Sequence, residues 1–406
     1  MNKKSILFID DDAYLLDGLK RRLRNKHQAW NLFFAQGGKE GLELMKQQKF
    51  DMVISDMVMP DINGSELLNR VAELYPETVR IILSGNTKQE LALASAAITH
   101  QFMNKPVDVD VLLYSIERVF RLRDLLGNQN LIQITTTVKN LPSIPRLAAM
   151  LIEEMNSPEP SIKKVAAIMS SDLAMTAKVM QLVNSAFFGL PQKVKNVQQA
   201  TALLGIETLK ALTIYVHAFD SHKFVDNQFF NVSSLQDHSL MVGKMAHDLI
   251  LDITRDEKMA EDAMLAGFLH DIGYMLLIGI PDIHRDLLAV IKNQPSTLME
   301  AEYHLFNVTH AEIGGYLLGM WGFSDNVVEA VAYHHRPSKS SVMNLSPLTA
   351  VHIANALLPM QWNPGYNNTK PLLDYNYIEA LAFLPKLAKW EEYASESLRR
   401  GSNNEY

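Results

Sequence analysis

MVISDMVMPDINGSELLNRVAELY, residues 52–75, decides how the first part of the chain folds. It opens with a short apolar run that ends in an acid, Asp56. It then passes through a turn carrying Pro60 and Gly64 and continues with apolar residues at helical spacing. A continuous apolar run followed by an amphipathic helix is the repeating unit of a parallel sheet covered on both faces. The same unit recurs on either side. SILFI (5–9), LFFA (32–35), RIILS (80–84) and QFMNK (101–105) are the other apolar runs, and AYLLDGLKRRLRN (13–25) is another helical segment. Five such units predict a doubly wound, five-stranded parallel α/β domain over residues 1–125.

Ligand crevices in such sheets lie at the C-terminal ends of the strands. That rule gathers Asp10, Asp11 and Asp12 from the first strand, Asp56 from the third, Ser84 from the fourth and Lys105 from the fifth. A single acid at a strand end is more often a helix cap or a solvated loop residue, but the joint placement of these groups points to a site. Clustered carboxylates repel one another unless a cation joins them. Hard oxygen ligands suit Mg²⁺. A carboxylate beside Mg²⁺, a lysine and a hydroxyl is equipped to attack a phosphoryl group and to stabilise the charge that develops.

A helix opening near Asp108, VLLYSIERVFRLRDLLGNQN, is expected to act as a connector and to end near Gly127. Its 111–126 stretch is long enough to pair in a homodimer. Residues 126–138 are expected to link two domains. From LPSIPRL (141–147) onward the pattern is helical without strand alternation, which predicts an all-α domain over 139–395. A polar tail, 396–406, is expected to fray.

The 406-residue chain is 48% apolar and 20% charged, the profile of a globular protein. It has no cysteine, which excludes thiolate metal sites and disulfides. No apolar run approaches the roughly 20 residues of a membrane helix, so no membrane insertion is expected. MNKKSILFIDDD turns acidic where a signal peptide would still be apolar, and a cytoplasmic setting is expected. A net charge of −7 argues against nucleic acid as a partner.

Eleven of the thirteen histidines lie between His217 and His352. The candidates for metal chemistry are His238, His270 with Asp271 in FLHDIG (268–273), which reads as helical, His310, the pair His334 and His335, and His352 with Asn355. Histidines and carboxylates on several helices can meet inside a bundle as metal ligands. His217, His222, His247, His284 and His304 read as structural.

ILFIDDD, SDMVMPDINGSE, Ser84 and the NKP at 104–106 resemble, in order, the receiver domain of bacterial response regulators, a flavodoxin-like fold. The resemblance implies that Asp56 is the phosphoacceptor and that Asp10, Asp11, Asp56 and the Val58 carbonyl hold Mg²⁺. It implies that Ser84 and Lys105 sense the phosphoryl oxygens and that Phe102 is the switch aromatic. A sensor histidine kinase or phosphotransfer protein would be the donor.

The order His238, His270-Asp271, His310, His334-His335 resembles the HD phosphohydrolase superfamily, in which a final Asp completes the first metal site; here Asn355 stands there. The phosphodiesterase branch that cleaves cyclic-di-GMP has a lysine after HDIG and a GYP motif after the histidine pair. This chain has Tyr274 and HHRPSKSS. SSDLAMTAKVMQLVNSAFFG, FLHDIGYMLL and THAEIGGYLLGMWGFSDNVVEAVAYHHRP resemble the HDOD domain, an HD-related output domain. That resemblance implies a signalling module without catalysis, acting on a downstream signalling protein such as a cyclic-dinucleotide enzyme or a kinase. At most a weak divalent metal is expected in it. The competing expectation is a metal-dependent HD-type phosphohydrolase of a nucleotide or cyclic dinucleotide, gated by the receiver.

Overall fold

A computed structural model of the chain describes residues 3–24, 30–84, 99–106, 108–125, 150–151, 154, 161–170, 173–184, 194–218, 232–278, 285–287, 289–290, 298–340, 343–358 and 373–402. The connector expected at 126–138 lies outside them. The chain divides into two compact units, Met1–Pro158 with Met320–Gly322, and Glu159–Gly319 with Phe323–Tyr406.

The first unit holds five strands, β1 (Lys4–Asp10), β2 (Trp30–Gln36), β3 (Met52–Asp56), β4 (Val79–Ser84) and β5 (Gln101–Asn104). They form one sheet in the order β2-β1-β3-β4-β5, and every pairing is parallel. β3 is buried along its whole length because helices cover both faces, and this explains its unbroken apolar run. The described helices are α1 (Ala13–Arg22), α2 (Gly38–Gln47), α3 (Gly64–Leu74) and α4 (Val109–Leu125). Asp12 caps α1, its carboxylate accepting from the Tyr14 and Leu15 amides. Asn63 caps α3 in the same way through the Glu66 amide.

Gly64 sets the turn after β3. Its amide donates to the Met57 carbonyl at 2.9 Å. A Cβ there would press into the Asp56 carbonyl oxygen and lie 2.9 Å from the Met57 Cα. Backbone cannot yield as a flexible side chain can. Gly64→Ala should therefore cost about 1–3 kcal/mol, the usual range for overpacking. Thermal unfolding should show a midpoint several degrees lower, and an unchanged midpoint would mean that the turn has room the geometry denies.

The second unit is helical throughout its described residues. Its helices are α5 (Ile162–Ser170), α6 (Leu173–Val183), α7 (Val197–Ala218, kinked at Gly205), α8 (Val232–Thr254), α9 (Glu257–Leu269) and α10 (Ile272–Ile278). They continue with α11 (Leu298–Phe306), α12 (His310–Met320), α13 (Asp325–Tyr333), α14 (Pro347–Leu357), α15 (Tyr375–Ala380) and α16 (Leu387–Ser402). α5, α6 and α7 pack together, while α8, α9, α13 and α14 form the central group. Asn184, in the LVNSAFFG stretch, ties the end of α6 to the chain ahead of α7. Its amide donates to the Met180 and Val194 carbonyls, and its oxygen accepts from the Val194 amide at 2.7 Å.

Two local expectations are corrected here. FLHDIG does not lie on one continuous helix: His270 and Asp271 are turn residues between α9 and α10. His270 Nδ1 donates to the Gly267 carbonyl at 2.7 Å, and the Tyr274 amide to the Asp271 carbonyl at 3.0 Å. The polar segment expected to fray from residue 396 instead continues α16 as far as Ser402, because Trp390 and Ala394 bury one face of that helix.

Gly273 allows α10 and α12 to touch. A Cβ at this position would run into the His310 carbonyl oxygen and lie 2.9 Å from the Gly314 amide nitrogen.

Candidate functional sites

In the first unit the strand ends deliver the acidic pocket. Asp10, Asp11 and Asp56 each place a carboxylate oxygen within 4.8 Å of the others. Asp10 and Asp56 are buried and Asp11 is exposed. Lys105, immediately after β5, sets its Nζ 2.7 Å from Asp10 Oδ2 and 2.8 Å from Asp56 Oδ1. The Asp12 amide donates to Asp10 Oδ1, and the Met57 amide to Asp56 Oδ1. Burial raises the Asp56 carboxyl above its usual range against the pull of Lys105. Burial alone would lower the Lys105 ammonium, but its bonds to Asp10 and Asp56 outweigh that and raise it. Such a carboxylate is poorly solvated and held by a cation on one oxygen, a suitable state for a nucleophile.

Three oxygen ligands, with room for water at exposed Asp11, fit Mg²⁺. Val58 follows two residues after Asp56 and is exposed. Ser84 ends β4 in register with Asn104, and Phe102 pairs with Ile82. The side chains of Ser84 and Phe102 lie outside the described parts of the structure.

In the second unit the structure brings nearly every predicted histidine to one place. His238 comes from α8, His270 and Asp271 from the α9–α10 turn, and His310 from the start of α12. His334 and His335 follow α13, and Asn355 lies on α14. Asp271 is the hub. Its Oδ2 lies 3.2 Å from His270 Nε2 and 4.0 Å from His238 Nε2. Its Oδ1 lies 3.3 Å from His310 Nε2 and 3.7 Å from His334 Nε2. His238 Nε2 is 3.1 Å from Asn355 Oδ1, and His335 Nε2 is 3.0 Å from His310 Nε2.

Burial governs the protonation of this cluster. It pushes His238 down to about 4, helped by the neighbouring His270, and it holds His334 and His335 well below the usual imidazole range. Burial would also raise Asp271, but His270 and His310 outweigh it and hold the carboxyl well down. His310 is the exception. Burial disfavours its charge, yet the flanking Glu302 and Asp271 carboxyls push it up to about 10.

Two residues take places the sequence did not assign. His352 does not face the cluster. Its Nδ1 donates to the His334 carbonyl at 2.7 Å, and its Nε2 accepts from the Asp374 amide at 2.9 Å. Glu302 was not among the candidates. It is fully buried on α11 and accepts from both the His310 amide (2.9 Å) and His310 Nδ1 (2.8 Å). The available signal was a charged residue on the apolar face of LMEAEYHLF, between Leu298, Ala301, Leu305 and Phe306.

The comparisons with known proteins agree with both halves. A response regulator receiver domain model matches residues 6–117, and an HDOD domain model matches residues 141–337. The chain thus carries a response regulator receiver domain followed by an HDOD domain. The second part has the fold of an HDOD domain protein of unknown function from Geobacter sulfurreducens: 21% identity, TM-score 0.53, 72% of this chain and 96% of that one. Among curated relatives, an uncharacterized protein of Treponema pallidum (strain Nichols) is 23% identical over 210 residues, half of this chain and 39% of that protein. The transcriptional regulatory protein GlrR of Escherichia coli (strain K12) is 32% identical over 114 residues, 28% of this chain and 25% of that protein. The chain thus spans well under half the length of either curated relative. Among the described residues, no helix is long and apolar enough to cross a membrane.

Proposed function

We propose that Asp56 accepts a phosphoryl group from a sensor histidine kinase or phosphotransfer protein, and that the HDOD domain passes the signal on by contact with a downstream signalling protein in the cytoplasm. The observation that carries this reading is Lys105, whose ammonium joins Asp10 to Asp56 at the strand ends. Asp10, Asp11, Asp56 and the Val58 carbonyl would hold Mg²⁺, which when bound neutralises charge on the incoming phosphoryl oxygens. An Asp56 carboxylate oxygen attacks phosphorus, the donor's leaving group departs with its electron pair, and an acyl phosphate remains. Lys105 then exchanges one carboxylate for a phosphoryl oxygen, Ser84 donates to another, and Phe102 follows Ser84 inward. The receiver is taken as 1–125, the connector as 126–138 and the output domain as 139–395.

This shift biases a two-state face made of β5 and α4, which runs toward the connector. A small phosphodonor with Mg²⁺ should add one acid-labile group per chain and change hydrogen exchange across 102–125. Full labelling with unchanged exchange there would sink this route to the output domain.

The histidine cluster is read as a metal-binding interior rather than an active site. His270, His310 and His334 are fully buried, whereas hydrolysis needs an open coordination position that substrate can reach. The convergence of so many ligands favours the competing phosphohydrolase reading. No turnover of cyclic dinucleotides is expected with Mn²⁺ or Zn²⁺ present, and metal-dependent hydrolysis abolished by His270→Ala would establish that alternative.

A further inference from the structure

α16 is fastened to the helical unit through one of its faces, against α8 and α14. Trp390 and Ala394 are buried on that face. Lys389 Nζ meets both carboxylate oxygens of Asp252 on α8, at 2.7 and 2.8 Å. The Tyr393 hydroxyl donates to Asp248, one turn earlier on α8. Asp248 is itself held by Lys244 at 3.6 Å and by His247 at 3.0 Å. The fit is incomplete, because Trp390 Nε1 is buried and makes no hydrogen bond. A buried donor left unpaired weakens the docking of the helix that carries it.

The joint ahead of α16 is strained. Ala382 has a φ of +60°, left-handed backbone that glycine adopts freely and alanine does not. It occupies the glycine place of a Schellman end to α15. The Phe383 amide donates to the Ile378 carbonyl at 3.0 Å, and the Ala382 amide to the Glu379 carbonyl at 2.8 Å. Leu384 then opens a 3₁₀ turn through Lys386, although a residue before proline favours extended backbone. On the near side of this joint α15 is anchored: the Tyr377 hydroxyl meets Thr349 Oγ1 on α14 at 2.8 Å, and Ile378 is fully buried. On the far side the Phe383 ring lies 5.9 Å from the Trp390 ring, so it travels with α16.

Release of α16 into water would expose Trp390 and uncover the sides of α8 and α14 that it lies against. A second copy of the chain presents the same two helices. Exchange between two copies restores each of these contacts and lets two strained joints extend, and a short hinge under strain invites such exchange. We infer that this chain dimerises by exchanging Phe383–Ser402, the α16 of one copy docking on α8 and α14 of the other. The exchanged arm lies beyond residues 141–337, which the HDOD model matches.

The chain has no cysteine, so introduced thiols report alone. Asp252→Cys and Lys389→Cys are made singly and together in the full-length chain. The double variant should be bridged by a short bis-maleimide, which establishes that the reagent spans the pair. The two single variants, mixed at high concentration and then treated, should give a covalent dimer joining one chain of each kind, and neither alone should do so. Ala382→Gly removes the strain at the joint. By sedimentation it should weaken dimerisation about 25-fold, about 5-fold at each of two joints, from the usual cost of left-handed backbone on alanine. Monomers at all concentrations would overturn the inference. So would a dimer in which residues 252 and 389 are bridged only within a chain, as expected if copies pair through the 111–126 stretch, and so would a dimer that Ala382→Gly leaves as tight as the parent.

Discussion

Asp56→Asn should take up no acid-labile phosphoryl group from a small phosphodonor with Mg²⁺, while the unmodified chain takes up one. The substitution keeps the shape of the residue and its bond from the Met57 amide, but it removes the anionic oxygen that attacks phosphorus. Lys105→Ala tests the other half of the pocket. It leaves Asp10, Asp11 and Asp56 clustered without the ammonium that joins two of them. Labelling should fall by about 10²–10³-fold, the usual cost of losing one preorganised charge partner. Folding should weaken as well, because breaking a buried pair leaves an uncompensated charge, and Mg²⁺ should restore more stability to this variant than to the parent. Undiminished labelling of Asp56→Asn would move the chemistry to another residue.

The second large effect is on acid stability. His238 is held at about 4 in the folded chain against 6.5 when free, and His334 and His335 are shifted in the same direction. Between pH 6.5 and 4 the unfolded chain therefore binds more protons than the folded one, and stability falls with pH across that window. For His238 alone the loss reaches about 3 kcal/mol at the acid end, at roughly 1.4 kcal/mol per pK unit. His310 acts with the opposite sign. Its folded value of about 10 lies above 6.5, so its contribution is complete below pH 6.5 and is lost as pH rises towards 10. Three imidazoles against one make the acid side steeper. The urea midpoint of the full chain, followed by tryptophan fluorescence, should drop clearly from pH 7.5 to pH 5.5 and much less from 7.5 to 8.5. Equal midpoints at 5.5 and 7.5 would show that the cluster is not buried in its neutral form.

The receiver was legible almost residue for residue, for a physical reason. Strands buried on both faces must be continuously apolar, and functional groups must stand where the strands stop. MVISD was read at 52–56 and β3 is Met52–Asp56; RIILS was read at 80–84 and β4 is Val79–Ser84. Lys105 was counted in the last strand but falls one residue beyond it. Asp12, grouped with the acids, serves as the cap of α1. The helical half was legible in kind but not in its joints. The period of apolar residues runs straight through FLHDIG, so the turn at His270 and Asp271 left no mark on it. Histidine order could say which residues meet but not how they divide. That division depends on side-chain to backbone bonds, such as His334 to Val331 and His352 to His334, which no spacing rule encodes. Glu302 was hidden because it sits on a different helix from the histidine it holds.

The contact at Gly273 bears on how such a motif persists while its chemistry drifts. The residue is fixed by the crossing of two helices, whose backbones would collide with any side chain placed there. That constraint acts on every descendant that keeps the crossing, whether or not it hydrolyses anything. The turn before Gly273 likewise delivers Asp271 to His310 as a matter of architecture. A chain released from selection for catalysis would therefore keep this glycine for its packing alone. The informative positions for judging whether such a domain is alive are those the packing leaves free to change.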